Sequence, residues 1–376
     1  MLAAMPWYLY LIGALGLALL MIVHEGGHFL AARAYGMRVT KFSIGFGPTI
    51  FKIVPEEGYF WFTTAAGKIR LRMWKHDPEK HGPTVFQVAA IPFLAYVQIA
   101  GMNPLEEVEP NDKGSYANAS LPARIVAIFA GPLANYLFAS VLFLGVYAIA
   151  GKIVTVERES TVISVLDGRP ASKAGIKDGD QIVSVAGVEV ETWTKMAENI
   201  SKHPGENIPI IVKRDGQRVT IDVTPANEEG KGRIGVGPHR FRQRVSMQEA
   251  AGLAVKRPAL VLKDLVLGLG EWLRKRTVED LGGPKKMVEA TAEAAKSGWA
   301  DFFEFMAALS AYLGAFNLIP FPALDGGRLI FLGYEAATRR RANPRIEAVI
   351  HGVGLIMLLG LMGYVTLFND FRIGAK

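Results

Sequence analysis

The sequence predicts a polytopic α-helical membrane protein with four membrane-crossing helices, a membrane-associated β element and one compact α+β domain outside the membrane. Three observations carry this prediction. Half of the 376 residues are hydrophobic and only 20% are charged, a shift toward membrane composition. The charges are segregated, so long uncharged runs alternate with stretches as polar as any soluble protein. The middle of the chain carries strand, turn and helix signals at the spacing of a small soluble domain.

Each spanning helix rests on an uncharged run that reaches the roughly 20 residues a bilayer requires. The first runs from Trp7 to Val23 and continues past His24 to His28 through Ala32. The second is Ile125 to Ala150, the third lies between Glu304 and Asp325, and the fourth between Glu347 and Asp370. The first run has no basic segment before it and no small-residue cleavage site before the histidines, so it reads as a span and not as a cleaved leader. A fifth uncharged stretch, His81 to Leu105, contains Pro83, Pro92 and Pro104. It suits a strand or re-entrant element better than a straight helix. Arg339, Arg340, Arg341 and Arg345 place the loop between runs three and four in the cytoplasm. Four crossings then put both termini and the large 151–299 segment outside.

Within that segment, Thr161–Leu166 alternates as a strand, and Ala171–Ala174 reads as a short helix closed by Gly175. Gln181–Val185 is a second strand and Thr192–Lys202 is helix-periodic. Ile208–Lys213 and Arg218–Val223 flank Asp215-Gly216, a hairpin signal. The run Arg169-Pro-Ala-Ser-Lys-Ala-Gly-Ile-Lys-Asp-Gly-Asp-Gln-Ile-Val-Ser-Val-Ala-Gly resembles a bacterial PDZ domain, in a single copy. Residues 247–296 are rich in Leu, Lys, Arg and Glu at helical spacing, broken at Leu281-Gly-Gly-Pro. A Val255–Leu273 helix there has mixed apolar and basic faces, suited either to a membrane surface or to packing on the domain. The predicted organisation is a membrane core over 1–150, the PDZ-like domain over 155–227, an amphipathic linker over 228–299 and the rest of the core over 300–376.

The chemistry concentrates where the first run becomes polar. His24-Glu25-Gly26-Gly27-His28 is an H-E-x-x-H pattern. On a helix, positions 24 and 28 share one face a turn apart, so both imidazoles reach one metal ion. Glu25 lies about 100° round from His24, placed to take a proton from the attacking water and not to bind the metal. Two His and a Glu at the end of an apolar span would cost several kcal/mol if idle. The chain has no cysteine, so a metal must be held by His, Asp or Glu, which suits zinc. Asp325 is the candidate third ligand. Runs one and three enter from the same side. At 1.5 Å per residue, His24 and His28 lie roughly 25 and 32 Å from Trp7, and Asp325 roughly 30 Å from Phe305. All three reach the same level near the cytoplasmic leaflet. Asp325 would also serve as the cap of a helix beginning at Gly326.

Asn317-Leu-Ile-Pro-Phe-Pro-Ala-Leu-Asp-Gly-Gly is similar to the N-x-x-P-x-P-x-L-D-G motif of site-2 proteases, and Gly131-Pro-Leu-Ala-Asn135 resembles the G-P-x-x-N of their second helix. Phe42-Ser-Ile-Gly-Phe-Gly and Ala90-Ile-Pro-Phe-Leu-Ala-Tyr-Val-Gln match further landmarks of that family, which usually has two glycines where this chain has Leu94-Ala95. The resemblance implies His24, His28 and Asp325 as ligands of Zn2+, Glu25 as general base, and Asn317 as a contact to substrate or transition state. It also suggests Asn135 as a substrate contact, and Pro320 and Pro322 as the breaks that free backbone groups to pair with an extended peptide.

The implied activity is zinc-dependent hydrolysis of a peptide bond within single-pass membrane proteins, such as a trimmed anti-sigma factor or a remnant signal peptide, in a bacterial inner membrane. The PDZ-like domain would act there as a size filter or docking site. Two rivals are a zinc protease acting on misfolded chains at the membrane surface, and a PDZ adaptor whose metal motif is vestigial. The net charge of +7 comes without a basic stripe interleaved with aromatics, which excludes nucleic acid as a partner and leaves membrane lipid. His351, near the start of run four, is a candidate support for the metal or an ordinary interhelical hydrogen bond. His76, His81, His203 and His239 read as solvated, and Trp7, Tyr8 and Tyr10 as an aromatic belt.

Overall fold

The computed structural model describes residues 6–64, 67–76, 82–155, 161–228, 230–238, 240–275 and 282–371. These divide into two compact units, one holding Tyr147–Ser246 and the other the described residues before and after it.

The larger unit begins with α1 (Trp7–Ala34). Gly36, at φ 74°, closes the helix, and the Met37 amide donates to the Ala32 carbonyl across that left-handed residue. A four-stranded sheet follows, built from β1 (Val39–Val54), β2 (Tyr59–Thr64), β3 (Gly67–Arg72) and β4 (Val85–Ile99) in the order β3-β2-β1-β4. The 81–105 stretch was the predicted β element, and its described part holds β4. The three strands before it lie outside that stretch. β1 bends at Gly45 and Gly47, both at positive φ, a conformation that a side chain would strain. As a result Lys41–Ile44 of β1 lies between two parts of β4, pairing with Ala95–Gln98 on one side and Val85–Val88 on the other. Ala95–Gln98 therefore forms an edge of the sheet.

α2 (Leu121–Ile149) carries Pro132 inside it and runs on into the second unit. There β5 (Lys152–Thr155) precedes β6 (Ile163–Val165), α3 (Pro170–Ala174), β7 (Gln181–Val185), β8 (Val188–Glu189), α4 (Trp193–Ser201), β9 (Ile208–Arg214) and β10 (Gln217–Val223). The sheet order is β10-β9-β7-β8, and the β9–β10 hairpin turns at Asp215-Gly216, both at positive φ as a two-residue hairpin loop demands. Thr192 caps α4 by accepting from the Lys195 amide. The core is aliphatic, with Ile163, Ile182, Ile210, Val212, Met196 and Ile234 inside it. β11 (Ala226–Glu228) and β12 (Lys231–Arg233) form a hairpin, β13 (Val236–Pro238) pairs with β6, and β14 (Arg240–Gln243) pairs with β5. The first part of the expected 228–299 linker is thus strand, added to the small domain.

The larger unit resumes with α5 (Met247–Lys275), which packs on α7 (Trp299–Asn317) after α6 (Pro284–Ser297) has packed along α1. α5 turns Ala250, Ala254 and Val261 inward, while Val255, Leu262 and Val266 stay exposed. α8 (Asp325–Thr338) and α9 (Pro344–Tyr364) complete the chain, with a π-helical turn over Val365–Asp370. Among the described residues three helices are long and apolar enough to cross a membrane: Trp7–Ala34, Leu121–Ile149 and Pro344–Asp370. The remaining expected span is α7. It is only 19 residues long, carries Asp301 and Glu304 near its start, and ends at Asn317. It packs closely on α2, where a Cβ at Gly314 would stand 2.9 Å from the Pro132 carbonyl.

Candidate metal centre

Two helices bring the three predicted ligands together. His24 and His28 project from consecutive turns of α1, and both are buried; their rings meet edge to face with centroids 4.9 Å apart. Asp325 is the first residue of α8. His24 Nε2 lies 3.1 Å from Asp325 Oδ2, His28 Nε2 lies 3.3 Å from the same oxygen, and the two Nε2 atoms are 3.3 Å apart. Among the described residues this is the only group of three His, Asp or Glu side chains that offers ligand atoms so close together.

Asp325 Oδ2 is buried and, despite those distances, makes no well-formed hydrogen bond. The two Nε2 atoms and this oxygen converge on one point. That is what a metal ion requires. Ligands of a tetrahedral zinc at about 2.0–2.1 Å stand about 3.3 Å from one another, and two imidazole nitrogens with one carboxylate oxygen are an established donor set for it. The residues fit zinc, and leave a fourth position for a reacting group.

Glycines let the helices close on this point. A Cβ at Gly27 would come within 2.8 Å of the Ala130 carbonyl carbon, so α1 and α2 touch beside the ligands. A Cβ at Gly131 would come within 2.5 Å of His28 Cε1 and nearer still to Nε2. His28 Nδ1 lies 2.8 Å from the Ala127 carbonyl. A carbonyl only accepts, so Nδ1 carries the proton and Nε2 presents its lone pair. The described geometry of α2 thus explains the Gly of the Gly-Pro-x-x-Asn run: the glycine makes room for a ligand.

Between α7 and α8 the backbone is irregular. Leu318–Leu324 folds back over the start of α8, where a Cβ at Gly326 would stand 2.6 Å from the Ile319 carbonyl carbon and one at Gly327 2.5 Å from the Phe321 oxygen. Ala323 sits at φ 77°, and its amide donates to His351 Nδ1 at 3.0 Å, so α9 seats the segment that leads into Asp325. Pro322 packs against Gly354 of α9, while Pro320 is exposed. Asn317 ends α7 with its side-chain amide donating to the Leu313 carbonyl of its own helix. Asp325 does not cap α8 through a side-chain hydrogen bond.

Glu25, on the same helix as the histidines, accepts from the Val97 amide at 3.0 Å. That contact was not legible in the sequence, since it depends on the bend of β1 that turns Ala95–Gln98 into a sheet edge. Asn135 was expected as a substrate contact. It is fully buried, with its amide nitrogen 3.3 Å from His24 Nδ1, where it faces a ligand. His76 donates to the Glu56 carbonyl and His203 pairs with Glu206; His81 and His239 lie outside the described residues.

The model of peptidase family M50 matches residues 12–67 and 68–361 of the chain. Full-length relatives agree with it. The chain is 31% identical to a protein of Mesorhizobium japonicum, covering 94% of this chain and 96% of the relative. It is 30% identical to one from Clostridium perfringens over 96% and 98%, and 28% identical to one from Clostridium acetobutylicum over 96% and 97%. Each of the three bears the name "putative zinc metalloprotease".

Proposed function

This chain belongs to peptidase family M50, and on that premise we propose that it is an intramembrane zinc endopeptidase that hydrolyses peptide bonds in the spanning segments of single-pass membrane proteins. The observation that carries the proposal is the buried triangle of His24, His28 and Asp325, at the polar end of a helix apolar enough to cross a bilayer. When bound, zinc supplies Lewis acidity to the attacking water and to the scissile carbonyl. Glu25 takes the proton of that water and passes it to the leaving amine, its carboxylate steadied by the Val97 amide. The peptide must be extended to react, because a transmembrane helix hides its scissile bond in its own hydrogen bonds. The edge at Ala95–Gln98 and the irregular Leu318–Leu324 segment both offer backbone groups to an extended chain. Asn317 gives its side chain to substrate when it releases the Leu313 carbonyl.

In this reading α7 is the third of four crossings, shortened because the Leu318–Leu324 segment takes over at membrane depth where protein covers it. Arg339–Arg341 and Arg345 orient the loop after α8 to the cytoplasm. Both termini and a PDZ-like domain within Tyr147–Ser246 are then extracytoplasmic, in a bacterial inner membrane. Trimmed anti-sigma factors and remnant signal peptides are the substrates such a site suits. All the residues of the metal centre belong to one compact unit and none to the other. This supports a gating or docking role for the PDZ-like domain, apart from the chemistry.

The test is co-expression with a set of tagged single-pass proteins, comparing the wild type with Glu25→Gln. The wild type should cleave a subset within the spanning segment. The variant should bind zinc equally and cleave none. Cleavage by Glu25→Gln at the wild-type rate would remove Glu25 as the base, and cleavage of soluble denatured chains instead would favour a surface protease.

A further inference from the structure

The two ligand histidines differ in what stands behind them. His28 donates Nδ1–H to the Ala127 carbonyl, which fixes its proton away from the metal face. His24 Nδ1 faces the Asn135 side chain, whose Nδ2 lies 3.3 Å away. With the amide turned that way, Nδ2–H donates to Nδ1. His24 must then carry its proton on Nε2, the atom that faces His28 Nε2 and Asp325. A protonated Nε2 cannot ligate a metal. The same orientation leaves Asn135 Oδ1 buried and without a hydrogen-bond partner, although Asn135 is completely inaccessible to solvent.

Both difficulties have one solution. The two ends of a carboxamide have nearly the same shape, so a half-turn of the side chain exchanges them without new steric demand. Oδ1 then accepts from His24 Nδ1–H, the orphaned acceptor is satisfied, and the Nε2 lone pair faces the triangle. Resting on the zinc reading above, we propose that Asn135 is a positioning residue for the metal. It holds His24 in the Nδ1–H tautomer as Ala127 holds His28, with Asn135 Oδ1 accepting from Nδ1–H.

The surroundings are built for this. α2 presents Ala127, Gly131 and Asn135 at four-residue intervals, so one face of the helix supplies an acceptor for His28, space for its ring and an acceptor for His24. Asn135 is itself anchored: Ser310 Oγ on α7 donates to its backbone carbonyl, and Gly314, where a Cβ would stand 3.2 Å from the Asn135 Cβ, lets α7 press against it. Such an arrangement fixes the backbone that carries the amide.

The experiment measures zinc affinity by chelator competition in the purified full chain for Asn135→Leu and Asn135→Asp. Leu keeps the volume without an acceptor, and should weaken zinc binding 10- to 100-fold, the usual effect of losing an outer partner of a ligand histidine. Asp restores an acceptor for Nδ1–H, and should bind zinc at least 10-fold more tightly than Leu. A purely structural role predicts the opposite order, since a buried carboxylate disturbs packing more than Leu does. Selective 15N-histidine NMR provides the second measurement. In zinc-free protein the His24 proton should reside on Nδ1 in the wild type and redistribute toward Nε2 in Asn135→Leu. Equal zinc affinity in Leu and wild type, or a His24 tautomer indifferent to Asn135→Leu, would overturn the proposal while leaving the zinc site intact. A wild type that binds no zinc would overturn both readings.

Discussion

Replacing Gly131 by Ala should separate metal binding from folding. An Ala Cβ at this position would stand 2.5 Å from His28 Cε1 and 2.8 Å from Cδ2. Carbon atoms in contact prefer about 3.5–4.0 Å, so the imidazole must withdraw by about 1 Å. Metal–ligand distances tolerate about 0.2 Å, so His28 leaves the ligand set. Losing one of three protein ligands should weaken zinc binding by at least ~100-fold, or about 2.7 kcal/mol. The metal-free fold has little reason to suffer. In a helix interior Ala is favoured over Gly by about 1 kcal/mol, which offsets the cost of crowding the ring. The assay pairs chelator competition for zinc with thermal melting of the metal-free protein. Gly145→Ala serves as control, because no atom lies within 4 Å of a Cβ built there on the same helix. Gly131→Ala should lose zinc at nearly unchanged metal-free Tm, and Gly145→Ala should keep it. Zinc affinity within threefold of wild type in Gly131→Ala would refute the placement of His28 as a ligand.

Further predictions concern the rest of the chain. Because cysteine is absent, an introduced thiol is unique. A Cys at Ser201 should react with an impermeant reagent from outside the cell and a Cys at Ala342 should not; the reverse pattern would invert the proposed topology. Deleting residues 161–223 behind a short Gly/Ser bridge should preserve zinc binding and cleavage of a trimmed substrate, and should admit an untrimmed one. An unchanged ratio of the two cleavage rates would rule out a size filter. Asp180 is a third case. Burial alone would raise its pKa, but the Arg214 guanidinium at 2.6 and 2.7 Å and the Lys177 amide outweigh burial and hold it below the usual carboxylate range. A carboxyl whose folded pKa is depressed contributes stability above its unfolded pKa of about 3.9, and that contribution fades as pH falls through the lower folded value. Hydrogen exchange of residues 163–223 in the full protein should therefore lose protection below about pH 4. Arg214→Ala should lower that protection already at pH 7, since it leaves the buried Asp180 carboxylate with the Lys177 amide and no guanidinium. Protection in Arg214→Ala equal to wild type at pH 7 would count against the pair.

Much of this molecule was legible without coordinates, and for identifiable reasons. Long uncharged runs mark helices because a bilayer demands about 20 apolar residues whatever the neighbours are. His24 and His28 could be paired because helical spacing alone puts them on one face. The Asp215-Gly216 hairpin and the Gly175 stop were readable because positive φ selects residue types locally. Asp325 could be matched to the histidines in depth from the rise of a helix, though not in direction. What tertiary structure decided is whatever depends on two distant segments approaching. That Glu25 rests on Val97 follows from a bend at Gly45 and Gly47 whose result is felt fifty residues later. That Asn135 stands behind His24, and Gly131 beside His28, depends on how closely α1 and α2 cross, which Gly27 permits and no local pattern encodes. Periodicity says which face of a helix is apolar; only packing decides which atom of a neighbouring helix that face meets.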